Sequence, residues 1–91
     1  MSLIESAGYL YVYAQELAKK NKKLESLRKE EERIESKLKR AREGHKERYH
    51  RQAVRVERKM KEVEAEREEI LKKLQQHFSA IEYFLDKEEK R

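Results

Sequence analysis

The chain has 91 residues, of which 47% are charged and 36% apolar, and it carries a net charge of +5. A chain this short and this charged excludes a broad globular core, and its lack of Cys excludes disulfides, thiolate metal sites and a cysteine nucleophile. Simple disorder is also excluded, because Leu, Ile, Val and aromatic residues recur at helical spacing; what survives is a long helix or a coiled coil.

The segment Met1-Ser2-Leu3-Ile4-Glu5 lacks a basic n-region and a long apolar run, so no signal peptide is expected. Ser2 is placed to cap a first helix, with Glu5 three residues later as in a capping box. From there Leu3, Ala7, Leu10, Ala14, Leu17, Asn21 and Leu24 alternate by four and three, the spacing of a coiled-coil seam. The next steps, Leu27, Glu31, Ile34, Leu38 and Ala41, require one extra step of three, a stammer that overwinds the supercoil. The longest apolar run, Tyr9 to Ala14, is far too short to span a bilayer. No membrane is therefore expected as a partner, and the expected location is cytoplasmic or nuclear.

Between the two periodic halves, Glu43 to Arg48 carries no strong apolar residue, and Gly44 is the one glycine of the chain's interior. This predicts a helix over 2–43, a turn at about 44–46 and a second helix over 47–88, all in a single helical domain spanning 1–91. The second seam reads Ala53, Val56, Met60, Val63, Arg67, Ile70, Leu74, Phe78, Ile81 and Leu85, irregular at the four-four step from Leu74 to Phe78.

The halves mirror one another at positions that sum to about 91: Leu10 with Ile81, Leu17 with Leu74, Leu27 with Val63, Ile34 with Val56. Lys19, Lys20, Lys22 and Lys23 fall opposite Glu66, Glu68 and Glu69. This pattern predicts an all-α antiparallel two-helix coiled-coil hairpin. The alternative is a single continuous long helix in an antiparallel homodimer, which would make the same contacts between chains. Gly44 near the pairing centre favours the hairpin. The absence of Ser, Thr, Asp, Asn or Pro between residues 37 and 78 leaves the second helix without a preferred cap, which favours the continuous helix. A parallel pairing would set like charges together and is disfavoured.

Two features bear on function. Pairing collects Ile4, Tyr9, Tyr11, Val12, Tyr13, Ala18, Tyr83 and Phe84 at one end of the rod, more apolar surface than a two-helix seam covers. The residues expected to carry association, with a protein partner or with a second copy as a homodimer, are Tyr9, Leu10, Tyr13, Leu17, Leu74, Phe78, Ile81, Phe84 and Leu85. At the other end, the stretch from Lys37 to Lys61 holds eleven Lys or Arg and three Glu. Lys37, Lys39, Arg40, Arg42, Lys46, Arg48, Arg51, Arg55, Arg58 and Lys59 form a cluster that could neutralise nucleic-acid phosphates.

Part of that block, Leu38-Lys39-Arg40-Ala41-Arg42 with Arg55 to Met60 and the acidic stretch beyond, is similar to the basic region of basic leucine-zipper proteins. That family's base-reading Asn and paired Ala have no counterparts from Glu43 to Arg51, and the charges oppose parallel pairing, so no family is assigned. His45 and His50 are five apart, off the spacing that puts two ligands on one helix face, and His77 lies beside the seam. No metal, cofactor or small-molecule substrate and no catalytic residue is expected, and the chain is read as no enzyme. Asn21, Glu31 and Arg67 are read as polar seam residues that set register. The function expected is an interaction, scaffold or oligomerisation module; polyanion (DNA or RNA) binding is the alternative.

Overall fold

The computed structural model describes residues 2–89, with side chains described through residue 87. Two helices, α1 (Leu3–Arg40) and α2 (Glu43–Glu89), fold back on one another as a hairpin. The rod measures 73 × 16 × 14 Å. At 1.5 Å per residue the 47-residue α2 alone spans about 70 Å, so it runs the full length of the molecule.

The ends of the helices follow from local chemistry. Ser2 is extended, and its hydroxyl accepts from the Glu5 amide at 3.2 Å, filling one of the donors that a helix start leaves open. α1 closes on Lys37, Lys39 and Arg40, cations suited to the negative end of the helix dipole. Ala41 then turns extended, with φ −75° and ψ 144°, while its amide still donates to the Leu38 carbonyl.

The turn therefore lies at Ala41-Arg42, not at 44–46, and the second helix begins at Glu43 instead of 47. Gly44 sits in the first turn of α2 without positive φ. The reversal is made by an extended Ala41, a conformation any residue adopts, so glycine's freedom is not used. The missing side-chain cap of α2 is real. Its start is closed by the backbone, the His45 amide donating to the Arg42 carbonyl at 2.8 Å, and by Glu43 at the positive end of the dipole.

The seam is more regular than the sequence pattern implied. On α1, Leu3, Leu10, Leu17, Leu24, Glu31 and Leu38 form one row, and Ser6, Tyr13, Lys20, Leu27, Ile34 and Ala41 the other. Every other side chain from residue 4 to 40 is exposed, including Ala7, Ala14 and Asn21. There is no stammer. Keeping one heptad register lets the Leu27 and Ile34 row continue unbroken to the N-terminus, and it buries Tyr13, a larger apolar body than Ala14. Lys20 fits the same row by laying down its stem while its ammonium reaches Glu66.

α2 behaves alike. Tyr49, Val56, Val63, Ile70, His77 and Phe84 form one row, and Ala53, Met60, Arg67, Leu74 and Ile81 the other. His77 and Phe84 replace Phe78 and Leu85, and the four-four step disappears. Arg67 and Glu31 are seam residues as expected, whereas Asn21 is exposed. Cross-helix partners such as Lys20 with Glu66 and Tyr9 or Tyr13 with His77 sum to 86–90, a register slightly tighter than 91 because the turn comes early.

The buried core is Leu24, Leu27, Ile34, Val56, Val63 and Ile70, with Tyr49, Ala53 and Met60 packed against the cluster that all but Ile70 form. All six lie in the middle of the rod.

Candidate functional site

A helix turns by about 100° per residue, so the residue after each seam position lies on one flank and the residue before it on the other. Because the helices run antiparallel, the trailing flank of α1 and the trailing flank of α2 form one face of the hairpin. The two leading flanks form the opposite face. This divides the rod into two faces, each with a base (the end where α1 begins) and a tip (the turn).

At the base, the trailing face is largely apolar, with Gln75 and Glu82 the polar residues of its α2 flank. α1 contributes Ile4, Ala7, Tyr11, Ala14 and Ala18, spaced by three and four and all exposed. α2 contributes Leu71, Phe78 and Leu85, spaced by seven. Ile4 is 85% exposed, Tyr11 66% and Phe78 55%. Among the described residues, seven of the eight large apolar side chains left exposed are at the base: Ile4, Tyr9, Tyr11, Val12, Phe78, Tyr83 and Leu85; only Val54 is elsewhere. Apolar patches of this kind on a protein surface are often functional.

The leading face of the base is aromatic: its rings stack on one another, while Tyr9, Val12 and Tyr83 stay exposed. His77 stacks on Tyr9 at 4.8 Å between ring centres and on Tyr13 at 5.7 Å, and the two tyrosines lie 6.1 Å apart. The Lys73 ammonium lies 5.6 Å from the centre of the Tyr13 ring, within cation–π range. Tyr83 meets Phe84 edge to face at 5.9 Å. The hydroxyl of Tyr11, on the trailing face, accepts from the Gln15 amide.

The nine residues expected to associate thus divide. Leu10, Tyr13, Leu17, Leu74, Ile81 and Phe84 are half-buried in the seam between the helices, while Tyr9, Phe78 and Leu85 are exposed. All nine lie at the base. Sequence reasoning placed Ile4, Tyr11 and Ala18 beside the seam, but not on one face with Phe78 and Leu85. Each of them follows a seam position, and that signal was readable only with the register known.

The base also holds Ser6, wholly buried, whose hydroxyl lacks a hydrogen-bond partner; the Nε of Arg67 is likewise buried without one. Such groups cost roughly 1–3 kcal/mol each. Along the leading face, Lys20 pairs with Glu66, whose carboxyl is held below its ordinary pKa by that hydrogen bond and charge, with Lys23 adding a smaller pull.

Towards the tip the two faces differ in charge. A groove on the leading face is lined by Arg33, Lys37, Arg55 and Lys59 with Glu30, over Ile34 and Val56. The trailing groove is lined by Glu31, Glu35, Glu57 and Glu64 with Lys61. All ten basic residues singled out in the sequence are exposed. Arg51 is occupied by Glu47 at 2.9 Å, whereas among the described residues Arg48, Arg55 and Arg58 form no ion pair. Arg33 joins the cluster only through the fold.

Among the described residues, no helix is long and apolar enough to cross a membrane, and no group of three or more His, Cys, Asp or Glu is placed to hold a metal ion. Comparison with protein-family models, with curated proteins and with solved structures gives no match for this chain.

Proposed function

We propose that this protein is a non-enzymatic coiled-coil hairpin whose role is protein–protein association, as a scaffold or oligomerisation element, and that it docks through its base. The observation that carries this reading is the largely apolar trailing face from Ile4 to Ala18 and Leu71 to Leu85, beside a seam that is itself only half-buried there. Burying a large apolar side chain is worth about 1.5–3 kcal/mol, and six buried aliphatics are a small core for 91 residues. Association would complete the burial that the hairpin leaves unfinished. The test is sedimentation velocity across a concentration series. The expected result is a concentration-dependent dimer that Phe78→Glu weakens; a monomer up to high micromolar concentration would sink the reading.

A second reading rests on the basic groove at Arg33, Lys37, Arg55 and Lys59, which suits a run of phosphates. Here the expected behaviour is salt-sensitive binding of duplex DNA or RNA that Arg55→Glu weakens. No binding at low salt removes this second reading and leaves the first untouched.

A further inference from the structure

The trailing face of the base carries more than a tendency to associate: two of its largest exposed side chains, Tyr11 and Phe78, share one level of the rod. On α1 the exposed row is Ile4, Ala7, Tyr11, Ala14, Ala18, with Tyr11 at its centre. On α2 the same flank holds half-buried Leu71 and exposed Gln75, Phe78, Glu82 and Leu85, with Phe78 at its centre. The register of 86–90 puts Tyr11 and Phe78 at nearly the same height on the rod. A two-fold axis crossing the rod at that level sets each flank against its own copy in reverse, so that residues equally spaced about Tyr11 and Phe78 meet.

Building on the proposed self-association, we infer that two hairpins pair base to base, trailing face on trailing face, about a two-fold axis perpendicular to the rod near Tyr11 and Phe78, with their tips pointing apart. In this arrangement α1 lies antiparallel on its copy. Ile4 faces the small Ala18 of the partner subunit, and Ala7 faces Ala14 of the partner subunit. Tyr11 and Phe78 each meet their own counterpart, Leu71 faces Leu85 of the partner subunit, and the polar Gln75 meets Glu82 of the partner subunit. Ile4, Tyr11, Phe78 and Leu85 expose on the order of 500 Å² between them, and the intervening alanines extend that toward the roughly 800 Å² per partner of a stable interface.

Charge selects this arrangement over the other two-fold solution. A side-by-side pair, with its axis along the rod, would also join the bases. It would lay the trailing tip grooves on each other, so that Glu31, Glu35, Glu57 and Glu64 met the same four carboxylates, with Arg28, Lys39 and Lys61 the cations nearby on each chain. Like charges brought together select against such a mode. The base-to-base pair leaves Glu31, Glu35 and Glu57 in solvent. It also carries the two basic tips to opposite ends of a rod roughly 100 Å long, by 1.5 Å per residue from the axis.

The chain has no Cys, so a single Lys46→Cys substitution marks the tip with one fluorophore per chain. Mixed donor- and acceptor-labelled dimers are expected to show little energy transfer, because the tips stand roughly 90 Å apart at 1.5 Å per residue. Efficient transfer in a sedimenting dimer would overturn the arrangement while leaving self-association intact. A chain that never dimerises would overturn both. A second measurement uses the facing alanines. Ala7→Glu or Ala14→Lys alone should weaken the dimer at least tenfold, and the two together should recover most of the loss, since each charge then meets its opposite across the axis. A double variant no tighter than the weaker single one rejects the register.

Discussion

Between Leu24 and Ile34 on α1, and Val56 and Ile70 on α2, the seam is closed: its six core aliphatics are at most 7% exposed. At the base the same heptad carries Leu10, Tyr13, Leu17, Leu74, Ile81 and Phe84, and every one is only half-buried. The spacing is identical, so the difference lies in the flanks. Around the middle, Lys, Arg and Glu stems shoulder the seam and keep their charges in water. Around the base the flanks also carry Ile4, Tyr9, Tyr11, Phe78 and Leu85, and two helices have no further surface with which to cover them. The proposed association would supply that cover at the base, which the closed middle does not need.

The comparison can be broken from either side. Leu27→Ala in the closed seam is expected to cost about 2–5 kcal/mol of stability, read from thermal or urea unfolding followed by helical circular dichroism. If it costs no more than Leu85→Ala at the base, the middle is not the core. Phe78→Glu should leave helicity intact and weaken association at least tenfold, about 1.4 kcal/mol or more by the tenfold rule, read by sedimentation. Ser6→Ala removes a buried hydroxyl that has no partner and raises helix propensity, so a gain of about 1 kcal/mol is expected in the same unfolding measurement. Gly44→Ala should gain up to about 1 kcal/mol, because Gly44 lies inside α2 and an added Cβ would meet nothing within 4 Å. A loss there would move the turn back to Gly44.

The smallest effect belongs to Glu66→Gln at an exposed ion pair. Its folded pKa is depressed, so the contribution is present above the ordinary carboxylate range and fades as pH falls through the depressed value. Salt should diminish it at any pH, and the difference between Glu66→Gln and the parent should vanish in acid.

Much of this fold was legible. Antiparallel pairing, the Ser2 cap and the cross-helix match of Lys20 with Glu66 follow from apolar spacing and charge alone. Glycine is the residue expected at a reversal, yet the chain reverses at an extended Ala41, a conformation that residue type does not reveal. At the base, apolar residue type and heptad register point to different rows. Ala7, Ala14, Phe78 and Leu85 looked like seam residues, and Ser6, Lys20 and His77 did not. That substitution hid the site, since the residues assigned to the inside are those that form the outer face.

The amino-acid sequence by itself determined that the chain is helical, that its halves pair in reverse, and that aromatic and basic residues gather at opposite ends. These follow from period and charge, which are properties of the linear order. Only the tertiary structure decided which of two adjacent rows faces inward at the base. That choice is cooperative: one continuous heptad, anchored by Leu27 and Ile34 on α1 and by Val63 and Ile70 on α2, carries every residue beyond it into register whatever its own polarity. The same rotation that buries Ser6 and His77 turns Ala7 and Phe78 out to solvent, and with them the apolar face that a second chain could cover.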